Sequence, residues 1–139
     1  MTKLYIIYTN VLVAGLISSQ KESPVIAIVD AMLKGLIIYV LSPALLQEYR
    51  DVLLRPKLSK IHGLNEKEID QLLTDIIANA IFCEPPVGLE KAPDSGDNHL
   101  WDLLQDNQGS ILVTGDKLLL DKPLMGTSVI LPAQLAIHL

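Results

Sequence analysis

The sequence predicts a three-layer α/β/α domain with a central parallel sheet. Short segments that are apolar at almost every position, such as residues 36–41, recur along the chain. Strands of this kind are typical of parallel sheets that are covered on both faces. Helical patterns lie between them, which is the alternation that builds such sheets. With 139 residues the chain has the size of one domain, so we predict a single domain over residues 1–139.

The predicted strands are the apolar runs that end at turn residues. They cover residues 3–8, 36–41, 81–83, 111–113 and 128–131. Helices are predicted over residues 11–18, 24–34, 43–55, 66–80, 97–106 and 132–139. Residues 85–96 are rich in Pro, Gly and Asp and are expected to form a loop.

Capping signals set the helix boundaries. The Ser-Pro pairs at 23–24 and 42–43 combine a capping serine with a proline at the first helical position. Residues 65–68 read N-E-K-E, which is a capping box. Asn10 is expected to cap the first helix, and Gly35 and Pro56 are expected to end the second and third.

Composition narrows the possible functions. Half of the residues are hydrophobic, 19% are charged and the mean hydropathy is +0.37, as in a densely packed globular protein. Aromatic residues make up 4%, too few for a platform that stacks single-stranded bases. The net charge of -5 gives no overall attraction for nucleic acid, so any contact with phosphate has to be local.

The compartment is predicted from two features. No apolar run reaches the roughly 18–20 residues that cross a bilayer, so we expect a soluble, cytoplasmic protein. Cys83 is the single cysteine, which excludes an intramolecular disulfide and a cysteine zinc cluster. Its apolar neighbours predict a core position in reducing surroundings.

Three carboxylates are predicted to meet at the carboxyl end of the sheet, where parallel α/β proteins bind ligands. Glu48 lies three residues after Leu45, on the stripe of its helix that should face the sheet. Asp97 begins a helix, and Asp116 follows the strand at 111–113. Burying a carboxylate without a partner is costly, so an inward Glu48 requires a positive partner, and a metal ion would serve.

Each of these residues also has a purely structural interpretation. Asp116 is placed to cap the turn that follows it. Tyr49 is the alternative inward residue of its helix, which would leave Glu48 near solvent and paired with Arg50 or Arg55.

The loop before the fifth predicted helix offers two aspartates and a histidine. Aspartate is favoured in the first turn of any helix, and of the pair we assign Asp94 to capping alone. His99 is near the predicted site but is interpreted as a surface residue.

Hard oxygen ligands without cysteine or a histidine pair fit Mg²⁺ or Mn²⁺ better than zinc. The sequence has no Walker loop, dinucleotide fingerprint or nucleophile elbow. A phosphatase or phosphoacceptor domain would use the same carboxylates, but the D-x-D pattern of such phosphatases is absent. Four cations follow the Glu48 helix, as contacts to RNA phosphate or as an ordinary solvated helix end: Arg50, Arg55, Lys57 and Lys60.

The chain resembles the PIN domain family, the metal-dependent ribonuclease fold of VapC-type toxins and of related toxin components. Four motifs carry the resemblance in the family's order: YTNVLV at 8–13, LSPALLQEY at 41–49, DSGDNHL at 94–100 and LVTGDK at 112–117. The similarity covers nearly the whole chain.

The resemblance implies a Mg²⁺-dependent endoribonuclease toxin of a type II toxin-antitoxin system. Its partners would be an RNA substrate, a cognate antitoxin protein and a second copy of the chain in a dimer. Glu48, Asp97 and Asp116 would hold the metal. The supporting residues of the site would be Thr9, Asn10, Asp94 and Thr114.

Position 8 departs from the family pattern. The family has a metal-binding aspartate after the first strand, and Tyr8 stands there. A neutral phenol does not replace that charge, and its ring would fill the place of the ion or its water. One explanation is an inactivating substitution, a single base change from aspartate, because a toxic nuclease is hard to carry in an expression host. The other is a natural relative, catalytically dead and kept to bind RNA or an antitoxin protein.

Overall fold

A computed structural model describes residues 3–139 and contains a five-stranded parallel sheet. The strands are Leu4–Ile7 (β1), Ile38–Leu41 (β2), Ala80–Phe82 (β3), Ile111–Val113 (β4) and Ser128–Ile130 (β5). Their order in the sheet is β3-β2-β1-β4-β5, and every neighbouring pair is parallel. Helices flank the sheet, so the predicted three-layer α/β/α architecture is confirmed.

Eight α-helices and one 3₁₀ turn lie within residues 3–139. The helices are Thr9–Ile17 (α1), Pro24–Leu33 (α2), Pro43–Leu53 (α3), Pro56–His62 (α4), Glu66–Ala78 (α5), Asn98–Asp106 (α6), Lys117–Asp121 (α7) and Pro132–Ala136 (α8). The 3₁₀ turn, Ser95–Asp97, leads directly into α6. None of these helices is long and apolar enough to cross a membrane.

Local sequence explains most of the boundaries. The Ser42 hydroxyl accepts a hydrogen bond from the Leu45 amide at 3.1 Å and so caps α3. The predicted capping box before α5 is confirmed, since Asn65 accepts from the Glu68 amide at 2.8 Å and Glu68 accepts from the Asn65 amide at 3.1 Å. Gly35 follows α2 with φ of +69°, a conformation that glycine adopts without strain.

Two predicted boundaries are wrong. Asn10 lies inside the first turn of α1, and Tyr8 is the N-cap residue, with no hydrogen bond from its side chain to the helix. Pro56 does not simply end α3: it begins α4, with Arg55 as an extended N-cap residue. Proline fits the first position of a helix, so the same residue can both stop one helix and start the next.

The core lies between the sheet and its helices and is built mostly from aliphatic side chains. Leu12 on α1, Leu45 on α3 and Leu112 on β4 are fully buried. Tyr49 is also fully buried, and its hydroxyl donates a hydrogen bond to the Ile7 carbonyl, which ties α3 to the end of β1. This bond supplies the partner that a buried phenol needs.

The prediction that Cys83 is a core residue is wrong. It follows the edge strand β3 and is half-buried, although it packs against the core. Its neighbours Ile81 and Phe82 are each about half exposed. An apolar run at the edge of a sheet has only part of its surface covered, which periodicity alone does not distinguish from a central strand.

The strand order places a switch point between β1 and β4. From β1 the chain builds β2 and β3 on one side, then crosses to form β4 and β5 on the other. The connections leaving β1 and β4 therefore diverge and open a crevice at their carboxyl ends. The Tyr8 amide donates to the Val113 carbonyl at 3.0 Å, so the two strand ends are joined at that crevice.

Candidate active site

Four elements bring polar side chains to the crevice. Tyr8 follows β1 directly, and Asp116 follows β4 after Thr114. Glu48 lies on α3, which begins right after β2, and Asp97 closes the 3₁₀ turn before α6. All of these positions come after the carboxyl end of a strand, as the sequence predicted for the three carboxylates.

Tyr8 stands among the carboxylates. Its hydroxyl donates a hydrogen bond of 2.9 Å to Asp97 Oδ1. Burial raises the pKa of the Tyr8 phenol above its ordinary value of 10.0, and the charges of Asp97, Glu48 and Asp116 raise it further. The phenol therefore stays protonated and donates.

Asp97 is the most deeply buried acid of the site, with 5% of its surface exposed. Burial raises its pKa, because a charged carboxylate loses its hydration. The hydrogen bond from Tyr8 acts in the opposite direction, and the charges of Asp94, Glu48 and Asp116 add to the increase. Asp97 is thus a carboxylate in surroundings that disfavour its charge.

Glu48 has partners on both carboxylate oxygens. The Thr9 hydroxyl donates to Oε2, and His99 Nε2 lies 3.5 Å from Oε1. The hydrogen bond with His99 lowers the pKa of Glu48 most, burial opposes it, and the Thr9 hydroxyl lowers it further. The Glu48 side chain is 28% exposed, whereas Tyr49 is fully buried. Tyr49 therefore points into the core, and Glu48 is only partly covered.

The alternative in which Glu48 pairs with Arg50 is wrong. Arg50 points away from the site and binds Asp70 at 2.9 Å and Glu66 at 2.6 Å. Arg55 acts on Glu48 only through its charge, which lowers the pKa of the carboxylate slightly.

His99 is a site residue that the sequence interpretation missed. Its side chain is 22% exposed and faces Glu48 from the first turn of α6. Its Nδ1 is buried and has no hydrogen-bond partner within residues 3–139. The available signal was its position two residues after Asp97, at the entry of the same helix, but the contact with α3 is made only by the fold.

Asp116 combines its two interpretations. Its carboxylate accepts from the Leu118 amide at 2.9 Å and so caps α7. The same charge raises the pKa of Tyr8 and of Asp97, which places it at the crevice. Thr114 is fully buried, and its hydroxyl accepts from the Asp116 amide at 3.0 Å, fixing the approach of this turn.

Asp94 has the capping role expected for it. Its carboxylate accepts from the Gly96 amide at 3.0 Å, and the residue is exposed. It acts on the centre only through its charge on Asp97.

A groove of about 370 Å³ lies beside Glu48, between α1 and α3. Its polar end is lined by Tyr8, Thr9, Asn10 and Glu48, and Arg55 stands farther along. Lys57 and Lys60 are exposed on α4. Of the four cations predicted to contact RNA, Arg55 is the one that lines this groove.

The donor types suit a hard divalent cation, but their arrangement with Tyr8 does not. Within the described residues, no group of three or more Asp, Glu, His or Cys side chains is placed to hold a metal ion. Asp97 accepts a hydrogen bond from the protonated Tyr8 hydroxyl. A phenol that donates a hydrogen bond is not a ligand, so the residues present do not fit the predicted Mg²⁺ or Mn²⁺.

Comparison with known proteins defines the class. A sequence profile described as PIN domain matches residues 5–118, which contain all four motifs. An uncharacterized protein of Methanocaldococcus jannaschii is 30% identical over 112 residues, covering 81% of this chain and 70% of that protein. The chain belongs to the PIN domain family. PIN domains are generally nucleases that use divalent metal ions.

Proposed function

We propose that this protein is a toxin-type PIN domain that acts on RNA, and that Tyr8 has removed most of the metal-dependent cleavage of phosphodiester bonds. One observation carries the proposal. Glu48, Asp97 and Asp116 come from three separate elements that follow strand ends at the switch point of the sheet, and Asp97 accepts a hydrogen bond from Tyr8. The family site is thus retained around a residue that cannot complete it.

The surrounding residues support an inherited catalytic site. Thr9 and His99 hold the carboxylate of Glu48 in one orientation, and Thr114 fixes the turn that presents Asp116. Residues that orient acidic ligands in this way are the usual support of metal sites. Their presence is explained by a cleavage site more readily than by the needs of folding alone.

We propose that one strand of RNA binds in the groove next to Tyr8, and not across a broad basic surface. Arg55 provides a positive charge along it, where it can bind a phosphate, while Val13 and Val52 line its wall. With a net charge of -5, the protein has to bind RNA through such a local contact.

The decisive test replaces Tyr8 with aspartate. We expect the Tyr8→Asp variant to cleave RNA in Mg²⁺ or Mn²⁺ at least about 100-fold faster than the unchanged chain, because loss of even an outer-shell partner costs about 10–100-fold. The assay uses a mixture of structured and single-stranded RNAs, followed by gel electrophoresis. A matched control, Tyr8→Asp combined with Asp116→Asn, should lose the gain.

Two outcomes would count against this proposal in different ways. If neither chain cuts any RNA with either metal, the ribonuclease function is refuted. If the unchanged chain cuts as fast as Tyr8→Asp, the site is active and Tyr8 has not weakened it.

The toxin role is tested in cells. We propose that the Tyr8→Asp variant stops growth of a bacterial host, that the unchanged chain does not, and that a cognate antitoxin protein relieves the arrest. The proposed dimer is tested by light scattering. Arrest by the Asp116→Asn double variant would show that the toxicity does not come from cleavage.

A second candidate function is a catalytically inactive PIN module that binds RNA or an antitoxin protein. The hydrogen bond from Tyr8 to Asp97 favours this second function, because a side chain of the protein itself then occupies the acidic centre. In that case the unchanged chain binds its partner equally well in Mg²⁺ and in EDTA, which a mobility-shift assay with RNA or a pull-down with the antitoxin measures.

A further inference from the structure

The acidic centre contains several charges and few donors. Glu48, Asp97 and Asp116 raise the pKa of Tyr8, and the basic side chains described next to the site are His99 beside Glu48 and Arg55 along the groove. Asp97 is almost fully buried, and the hydroxyl of Tyr8 is the side-chain donor that reaches it. Buried carboxylates without a donor or cation strongly destabilise a fold.

We infer that the Tyr8 hydroxyl replaces a divalent cation, so that this PIN domain folds with its acidic centre closed and binds no metal there. The phenol donates a hydrogen bond to Asp97 from the position after β1 where the family pattern has a metal-binding aspartate. It provides the positive end of a dipole to a centre that the family fills with an ion.

The geometry supports this inference from two sides. The phenol occupies space beside the acids, and its hydrogen bond uses Asp97 Oδ1, an oxygen that a metal would need. An entering ion would have to break this hydrogen bond and move an aromatic ring that follows directly from the central strand. The inference concerns metal binding and folding, so it is separate from the proposed RNA cleavage.

The test uses Mn²⁺ as the probe with the full chain and two variants. Calorimetric titration of the unchanged chain with Mn²⁺ should show no binding at the site, and millimolar Mn²⁺ should shift its melting temperature by less than about 1 °C. Tyr8→Phe keeps the ring but removes the donor, and its melting temperature should fall by about 5 °C in EDTA. Tyr5→Phe, on the preceding strand β1, is the matched control for loss of a hydroxyl.

Tyr8→Asp completes the comparison. It should melt below the unchanged chain in EDTA, bind one Mn²⁺ and gain about 5 °C or more when the ion saturates it. If this variant does not fold, the Mn²⁺ titration of the unchanged chain and the Tyr8→Phe melt still decide the inference.

Three results would overturn the inference. They are stoichiometric Mn²⁺ binding at the centre of the unchanged chain, a Tyr8→Phe variant as stable as Tyr5→Phe, and a folded Tyr8→Asp variant that ignores Mn²⁺. A Tyr8→Asp variant that binds Mn²⁺ but cuts no RNA refutes the ribonuclease proposal and leaves this inference intact. If the unchanged chain binds Mn²⁺ and cuts RNA, this inference is refuted and the ribonuclease proposal stands.

Discussion

Glu48 and Arg50 both lie on helix α3, and their surroundings differ sharply. Glu48 faces the crevice and is held by a hydroxyl and an imidazole, with further carboxylates nearby. Arg50 faces outward and forms ion pairs with Asp70 and Glu66 on the side of α5. On the buried side of the helix, Glu48 therefore lies near other carboxylates without a full counterion. On the exposed side, Arg50 is paired with opposite charges.

This contrast indicates which charges serve stability and which are kept for a site. Exposed ion pairs contribute little, because water and salt screen them. Partly buried carboxylates of equal sign oppose folding, yet they are grouped at the switch point of the sheet. Arrangements that cost stability at a ligand-binding position are typical of functional sites.

The largest effect is expected from the core that presents both groups. Leu45 is fully buried on α3, the helix that carries both Glu48 and Arg50. Leu45→Ala should lower the free energy of unfolding by about 2–5 kcal/mol, since it removes buried methyl groups and leaves a cavity. Urea denaturation measures the loss, and Gln47→Ala on the exposed face of the same helix should change it far less. Equal losses in the two variants would show that α3 is not held by this contact.

An intermediate effect is expected from Asp97, the most buried acid of the centre. Its raised pKa means that the folded state holds the proton more tightly than the unfolded state, so this residue costs stability as the pH rises above its ordinary value of 3.8. Asp97→Asn should therefore raise the melting temperature at neutral pH by about 2–4 °C without metal, since the asparagine side-chain oxygen can still accept the hydrogen bond from the Tyr8 hydroxyl.

The pH dependence of this gain is its check. It should shrink as the pH falls below 3.8, because the wild-type carboxyl is then increasingly protonated in both states. Asp51→Asn, an exposed position on α3, should give no comparable gain at any pH. A gain for Asp97→Asn that stays constant down to acid pH would assign the effect to packing instead of charge.

The sequence allowed most of the fold to be predicted because the relevant signals are local. Apolar runs located all five strands, and the capping box before α5 fixed a helix start within one residue. Helix α4 was missed because Pro56 was interpreted only as the end of α3. Proline is compatible with both roles, and it disfavours helical geometry at the preceding Arg55, so the break between the two helices has a local cause.

The site was harder to predict than the fold, because its contacts join distant parts of the chain. The three acids could be placed at one edge of the sheet from strand order alone. The hydrogen bond from Tyr8 to Asp97 spans 89 positions, and the contact between His99 and Glu48 depends on how α6 crosses toward α3. Residue types at the strand ends indicate candidates, while the partner of each candidate follows only from the packing of the layers.

The smallest effect is expected from the exposed ion pairs of Arg50. Asp70 raises the pKa of the Arg50 guanidinium most, and Arg50 in turn lowers the pKa of Asp70, yet both groups lie at the surface, where solvent screens the interaction. Arg50→Gln should therefore lower the melting temperature by less than about 3 °C in low salt, and the loss should fade in 1 M NaCl. Lys67→Gln, which removes an exposed cation on α5, controls for net charge. If Arg50→Gln costs more than Tyr8→Phe, the charged groups that stabilise α3 lie on its outer face, and the comparison between its two sides is reversed.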